Sequence, residues 1–178
     1  MAVGPVRDII VGGAGDRLFG CARRYADLLA AEHPKRDVLY LPQCRRRHLL
    51  SLLNTGAPLN LIGHSWGAAD VAWALGRAGP RARPQLVIGV DPVGKPLRQG
   101  CGAGLQTLTV YATGSEGRLM DGNVTARLGR WLGRPCPPGF DAECALSYDT
   151  PYAHYDMTRM MRHPGPDGRS AEDCLLDG

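Results

Sequence analysis

Apolar runs of strand length alternate with stretches of helical spacing over most of the chain. Val6 to Val11 forms the first run and ends in Gly12-Gly13-Ala14-Gly15-Asp16. Leu18, Cys21, Ala22, Tyr25, Ala26, Leu28 and Leu29 then recur at helical spacing, which predicts an amphipathic helix from about Arg17 to Ala31. Asp37 to Leu41 is a second strand, and Arg45 to Leu53 a short helix stopped at Asn54-Thr55-Gly56. Leu59 to Ile62 is a third strand, followed at once by Gly63-His64-Ser65-Trp66-Gly67. Ala68 to Ala78 is apolar nearly all round, the mark of a buried helix, and Gly79-Pro80 closes it. Gln85 to Val90 and Leu105 to Ala112 read as two more strands, the first terminated by Asp91-Pro92.

Strands that are near-continuous apolar runs, alternating with helices, predict an α/β fold. The expected form is a three-layer sandwich around a mostly parallel sheet of about five or six strands. Beyond Thr113 the pattern weakens. A helix is expected over Val124 to Leu132, a loop over Pro135 to Phe140, and a short last strand over Ala145 to Tyr148. From Pro164 onward the sequence is polar and rich in Pro and Gly, which predicts a surface tail. Residues 1–163 are therefore expected to form one domain and 164–178 its tail. The length of 178 residues suits one domain of this kind.

Charge and cysteine content narrow the function classes only a little. The net charge of +4 comes from scattered basic residues, with one run at Arg45-Arg46-Arg47. No nucleic-acid-binding motif accompanies that run, so it reads as a solvated arginine stretch and no nucleic-acid partner is expected. No stretch approaches the ~18 apolar residues of a membrane span. The chain opens without a charged, long apolar leader, so a cytoplasmic location is expected, with leaderless export as the alternative. The six cysteines form no CxxC pair and no zinc spacing, so no metal is expected, and the serine chemistry read below needs no cofactor. Cys21 falls on the apolar face of the first helix and reads as a buried thiol. Cys101, Cys136, Cys144 and Cys174 lie in loop-like sequence, where one or two disulfides are compatible with an oxidising compartment.

Ligands in parallel sheets bind at the carboxyl ends of the strands. Three such ends carry unusual chemistry. The first is Ser65, set in a GxSxG turn between an apolar strand and an apolar helix, the context in which a strained elbow presents a serine hydroxyl. The second is Asp91, at the end of the next strand, where a carboxylate can orient a histidine. Glu116 and Asp121, after the following strand, are rival acids. The base that follows them in chain order is His154, with His163 as the alternative. His64 adjoins the serine but points elsewhere in an elbow, so it reads as a packing or hydrogen-bonding residue. The third end is Gly12 to Asp16, which nominates the backbone N–H of Ala14 or Gly15, together with that of Trp66, as an oxyanion hole. The glycines fit no dinucleotide or phosphate-loop spacing. Asp16 is placed to cap the following helix.

Leu61-Ile62-Gly63-His64-Ser65-Trp66-Gly67, followed 26 residues after the serine by Gly89-Val90-Asp91-Pro92, resembles lipases of the pancreatic-lipase type. Gly12 to Asp16 is similar to the oxyanion loop of that family, with glycine in place of its usual histidine. The resemblance covers about residues 6 to 95. It implies Ser65, Asp91 and His154 as a triad and Ala14 and Trp66 as oxyanion donors, although the region around His154 matches no family motif. In size, and in lacking an insertion large enough for a lid, the chain looks more like cutinase, and more loosely like small bacterial and phage α/β hydrolases. The implied activity is a serine hydrolase acting on a small-molecule or lipid carboxylic ester. The alternatives are an exported phospholipase effector and a non-catalytic binding protein on the same fold.

Overall fold

The computed structural model describes residues 6–14, 16–93, 105–114 and 145–177. Its centre is a six-stranded sheet. The strands are β1 (Arg7–Val11), β2 (Asp37–Leu41), β3 (Pro58–His64), β4 (Arg83–Val90), β5 (Gln106–Ala112) and β6 (Ala145–Thr150). They lie in the order β2-β1-β3-β4-β5-β6, and every pair is parallel. Both faces of such a sheet must be covered, which explains why β3 is buried at every position. One face holds α2 (Cys21–Glu32), α5 (Met157–Arg162) and α6 (Ala171–Leu176), packed on Ile10, Ile62, Ile88 and Val110. The other holds α3 (Arg46–Leu53) and α4 (Trp66–Leu75), packed on Ile9, Leu59, Leu61 and Val87. The architecture is α/β, in three layers.

Three elements differ from the sequence expectation. The single first helix is two, α1 (Asp16–Phe19) and α2, because Gly20 takes φ 60° and turns the chain between them. A short helix, α5, follows the last strand, where its three methionines are buried. The segment from Pro164 does not hang at the surface as a tail. Pro164 bridges Ser170, Ser170 opens α6 with a capping box to Asp173, and Ala171 and Leu175 are fully buried. Arg36 explains the docking. Its guanidinium donates to both carboxylate oxygens of the buried Asp8, at 2.6 and 3.0 Å, and to the Leu175 carbonyl oxygen at 2.9 Å. It thus ties the C-terminal carbonyls of α6 to the amino end of β1, where a cation is favoured. A distant ionic anchor of this kind leaves no local sequence pattern. The expected helix over Val124 to Leu132 and loop over Pro135 to Phe140 lie outside the described residues.

Candidate active site

The carboxyl ends of β1, β3 and β4 bring Gly13, Ser65 and Asp91 to one edge of the sheet. Ser65 sits between β3 and α4 with φ 54°, ψ −126°, a backbone that a side chain adopts only under constraint. The constraint is visible in its neighbours. Ser65 N donates to the Val90 carbonyl oxygen at 2.9 Å, and Val93 N donates to the Ser65 carbonyl oxygen at 3.1 Å. A Cβ on Gly63 would lie 2.5 Å from Ala68 Cα, and one on Gly13 would lie 3.1 Å from Ser65 Oγ. Only hydrogen fits at either place, so the two glycines allow the strand, the helix and the β1 loop to close around the serine.

Asp91 is fully buried, and its φ of 39° turns the chain away at the end of β4. Its Oδ1 accepts from Ala112 N at 3.2 Å, and its Oδ2 lies 2.6 Å from His154 Nδ1. The loop that brings His154 there continues the pairing of β5 and β6 past the strand ends. Thr113 N donates to the Thr150 carbonyl oxygen at 2.9 Å, and Gly114 N to that of Tyr152 at 3.2 Å. Nδ1 of the buried His154 ring is thereby held against the carboxylate. Among the described residues no hydrogen bond joins the Ser65 hydroxyl to this ring.

Trp66 is the first residue of α4, so its N–H has no acceptor within the helix. Ala14 lies in the turn after Gly13, half-buried. His163 ends α5 and faces Tyr152 edge-on, with ring centroids 5.5 Å apart. Glu116, Asp121 and Gly15 lie outside the described residues. Cys21, Cys44 and Cys174 are free thiols, and the other three cysteines lie outside the described residues.

No protein-family model and no curated protein sequence matches the chain. Solved structures do. One is named as a cell surface hydrolase of Lactobacillus plantarum, with 10% identity, a TM-score of 0.52, and coverage of 86% of this chain and 84% of that one. A YdeN-like hydrolase of Pectobacterium atrosepticum follows, with 13% identity, a TM-score of 0.41 and coverage of 87% and 88%. RedJ, solved with a polyethylene glycol molecule in its active site, gives 15% identity, a TM-score of 0.44 and coverage of 98% and 88%. The likeness to the Lactobacillus plantarum structure is one of fold. The six-stranded parallel sheet with helices on both faces is consistent with a minimal α/β-hydrolase fold. No helix among the described residues is long and apolar enough to cross a membrane.

Behind the site runs a buried polar chain that sequence patterning did not single out. Tyr40 hydroxyl donates to Asp16 Oδ2, and Asp16 Oδ1 accepts from Ala22 N at 2.8 Å and from the Cys21 thiol at 3.1 Å. Asp16 thus caps α2 from across the Gly20 break. Cys21 Sγ lies 3.6 Å from His64 Nδ1, and His64 Nε2 donates to the His154 carbonyl oxygen at 2.8 Å. The His64 and His154 rings are also in contact, with centroids 4.7 Å apart. Burial, and then the neighbouring His154, lowers the His64 pKa from 6.5 to about 4.

The sign of that shift makes a prediction. Between pH 6.5 and about 4 the unfolded chain binds a proton at this position that the folded chain refuses. Stability therefore rises with pH across that window and is lost on acidification. At 1.36 kcal/mol per pKa unit, the loss between pH 7 and 4 is about 3 kcal/mol. His64→Gln keeps a donor toward His154 and cannot titrate. Urea unfolding at the two pH values should show the native protein losing about 3 kcal/mol more than the variant. Equal losses would mean that His64 does not carry the acid sensitivity.

Proposed function

We propose that the protein is a serine hydrolase that cleaves a carboxylic ester through an acyl-enzyme on Ser65. The Ser65 hydroxyl attacks the acyl carbonyl while His154 takes its proton, and Asp91 holds the imidazole and stabilises the imidazolium. The N–H groups of Ala14 and Trp66 receive the developing oxyanion. His154 then protonates the leaving alcohol, and later removes a proton from the water that releases the acid and restores Ser65. Every proton moved in this sequence is carried by His154, and no cofactor is required.

The observation that carries this proposal is the 2.6 Å bond between His154 and the buried Asp91, beside a serine held at positive φ. Paired buried acid and imidazole cost desolvation and stay favourable only when they satisfy each other. Placing them at the end of the strand next to an elbow serine is the layout of a nucleophile's base and its orienter. A fluorophosphonate probe tests it, since only an activated serine reacts. Labelling is expected on the peptide containing Ser65 and should vanish in Ser65→Ala. Mass spectrometry that finds no label on the intact protein would favour the non-catalytic binding protein instead.

One specific feature favours an ester with an apolar portion. Leu18, Phe19 and Trp66 are 85%, 49% and 40% exposed, the only large exposed apolar side chains among the described residues. Trp66 adjoins Ser65, and Phe19 stacks on Tyr155, the neighbour of His154, at 4.5 Å between centroids. A rim of this kind suits a lipidic ester, and hydrolysis of phospholipid vesicles would move the assignment to the phospholipase alternative.

A further inference from the structure

The arginine run Arg45-Arg46-Arg47 is solvent-exposed, yet it does not merely face water. Together with His48 and Gln43 it lines an open concavity of about 810 Å³ whose opposite wall is Trp66, Ala69 and Asp70. Trp66 is the residue after the proposed nucleophile, so one wall of the concavity is built on the first turn of α4, next in the chain to Ser65. No described acid pairs with Arg45, Arg46 or Arg47. The one carboxylate in the wall, Asp70, already accepts from Cys44 N at 2.9 Å. Arg46 is partly committed, since its guanidinium lies over the Trp73 ring at 4.7 Å from the centroid. Among the described residues Arg45 and Arg47 have no such partner, and Arg45 leaves the amino end of α3 without a side-chain cap.

We infer that this concavity is an anion subsite, and that the ester taken at Ser65 carries a carboxylate or phosphate group that reaches past Trp66 to the arginines. The inference rests on the proposed serine hydrolysis. Its chemistry is that of guanidinium forks, which bind oxyanions through two parallel N–H donors and keep their charge at any working pH. Three exposed arginines on one wall, none ion-paired among the described residues, also raise the local concentration of an anionic substrate. A substrate held at both its carbonyl and its anionic group loses orientational freedom before the chemical step.

Two matched pairs of esters test this at low ionic strength. p-Nitrophenyl hemiglutarate against p-nitrophenyl butyrate places the anion on the acyl side, and 4-acetoxybenzoate against phenyl acetate places it on the leaving group. In at least one pair the anionic ester should have the higher kcat/KM. That preference should fall about tenfold in Arg45→Ala/Arg47→Ala, and fall likewise at high salt. Direct calorimetric binding of inorganic pyrophosphate to the intact protein, lost in the double variant, reads the subsite without turnover. Fluorophosphonate labelling of Ser65 in the same samples separates the two ideas. Labelled protein with no anionic preference in either pair and no pyrophosphate binding overturns the subsite alone. Unlabelled protein that still binds pyrophosphate through these arginines overturns the hydrolysis and keeps the anion site.

Discussion

Asp91→Asn is expected to lower kcat for an ester that the protein hydrolyses by about 10⁴-fold while leaving the fold intact. The substitution is nearly isosteric, and asparagine tolerates the positive φ of this position. The amide oxygen can keep the bond from Ala112 N, which turns the NH₂ toward His154 Nδ1. A donor there forces the other imidazole tautomer. Nε2 then carries hydrogen and can no longer accept a proton from the serine as proposed. Loss of labelling should therefore be accompanied by an unchanged melting profile. Activity within tenfold of the parent would show that Asp91 is not the orienting acid, and would return attention to Glu116 and Asp121.

The largest structural effect is expected at Gly67. A Cβ there would press into the Val11 carbonyl oxygen, 2.8 Å from the Val11 carbonyl carbon and 2.9 Å from the Gly12 carbonyl oxygen. All three atoms are backbone of β1 and its loop, so none can swing away. Gly67→Ala should push α4 off the sheet and cost more than about 3 kcal/mol, at the upper end for overpacking, or prevent folding. Gly76→Ala is the control. Gly76 follows α4 at φ −66°, and the Ala72 carbonyl oxygen would lie an ordinary 3.5 Å from the added Cβ. That substitution should stabilise by about 0.4–1 kcal/mol through the unfolded chain. Urea denaturation of the two variants reads the difference directly. Similar stabilities would mean that the elbow is looser than these distances imply.

Local pattern determined much of this protein. Strand and helix alternation follows from burial on one face or two, a property each segment carries by itself, and it foretold the parallel α/β sheet. The Gly63 to Gly67 turn was legible for the same reason. Its glycines are demanded by strand and helix passing within contact of each other next to one residue, and that spacing is written in consecutive letters. Even there, the helix preceding β2 was read as unbroken, because helical periodicity continues across Gly20 although the backbone does not.

Tertiary structure decided what lay far apart in the chain. His154 and Asp91 are separated by 63 positions and meet only because β6 pairs with β5 and carries the loop back over β4. No periodicity encodes that meeting. Arg36 holds the carbonyls of α6 across 139 positions, which made a folded helix of a polar segment that composition alone described as a tail. The Tyr40–Asp16–Cys21–His64 chain is of the same kind. Each residue reads locally as a cap, a core thiol or a neighbour of the serine, and only the convergence of β1, β2 and β3 at one sheet edge joins them behind His154. Sequence patterning reports which side of an element avoids water; which polar groups finish one another's hydrogen bonds depends on where the strand ends converge.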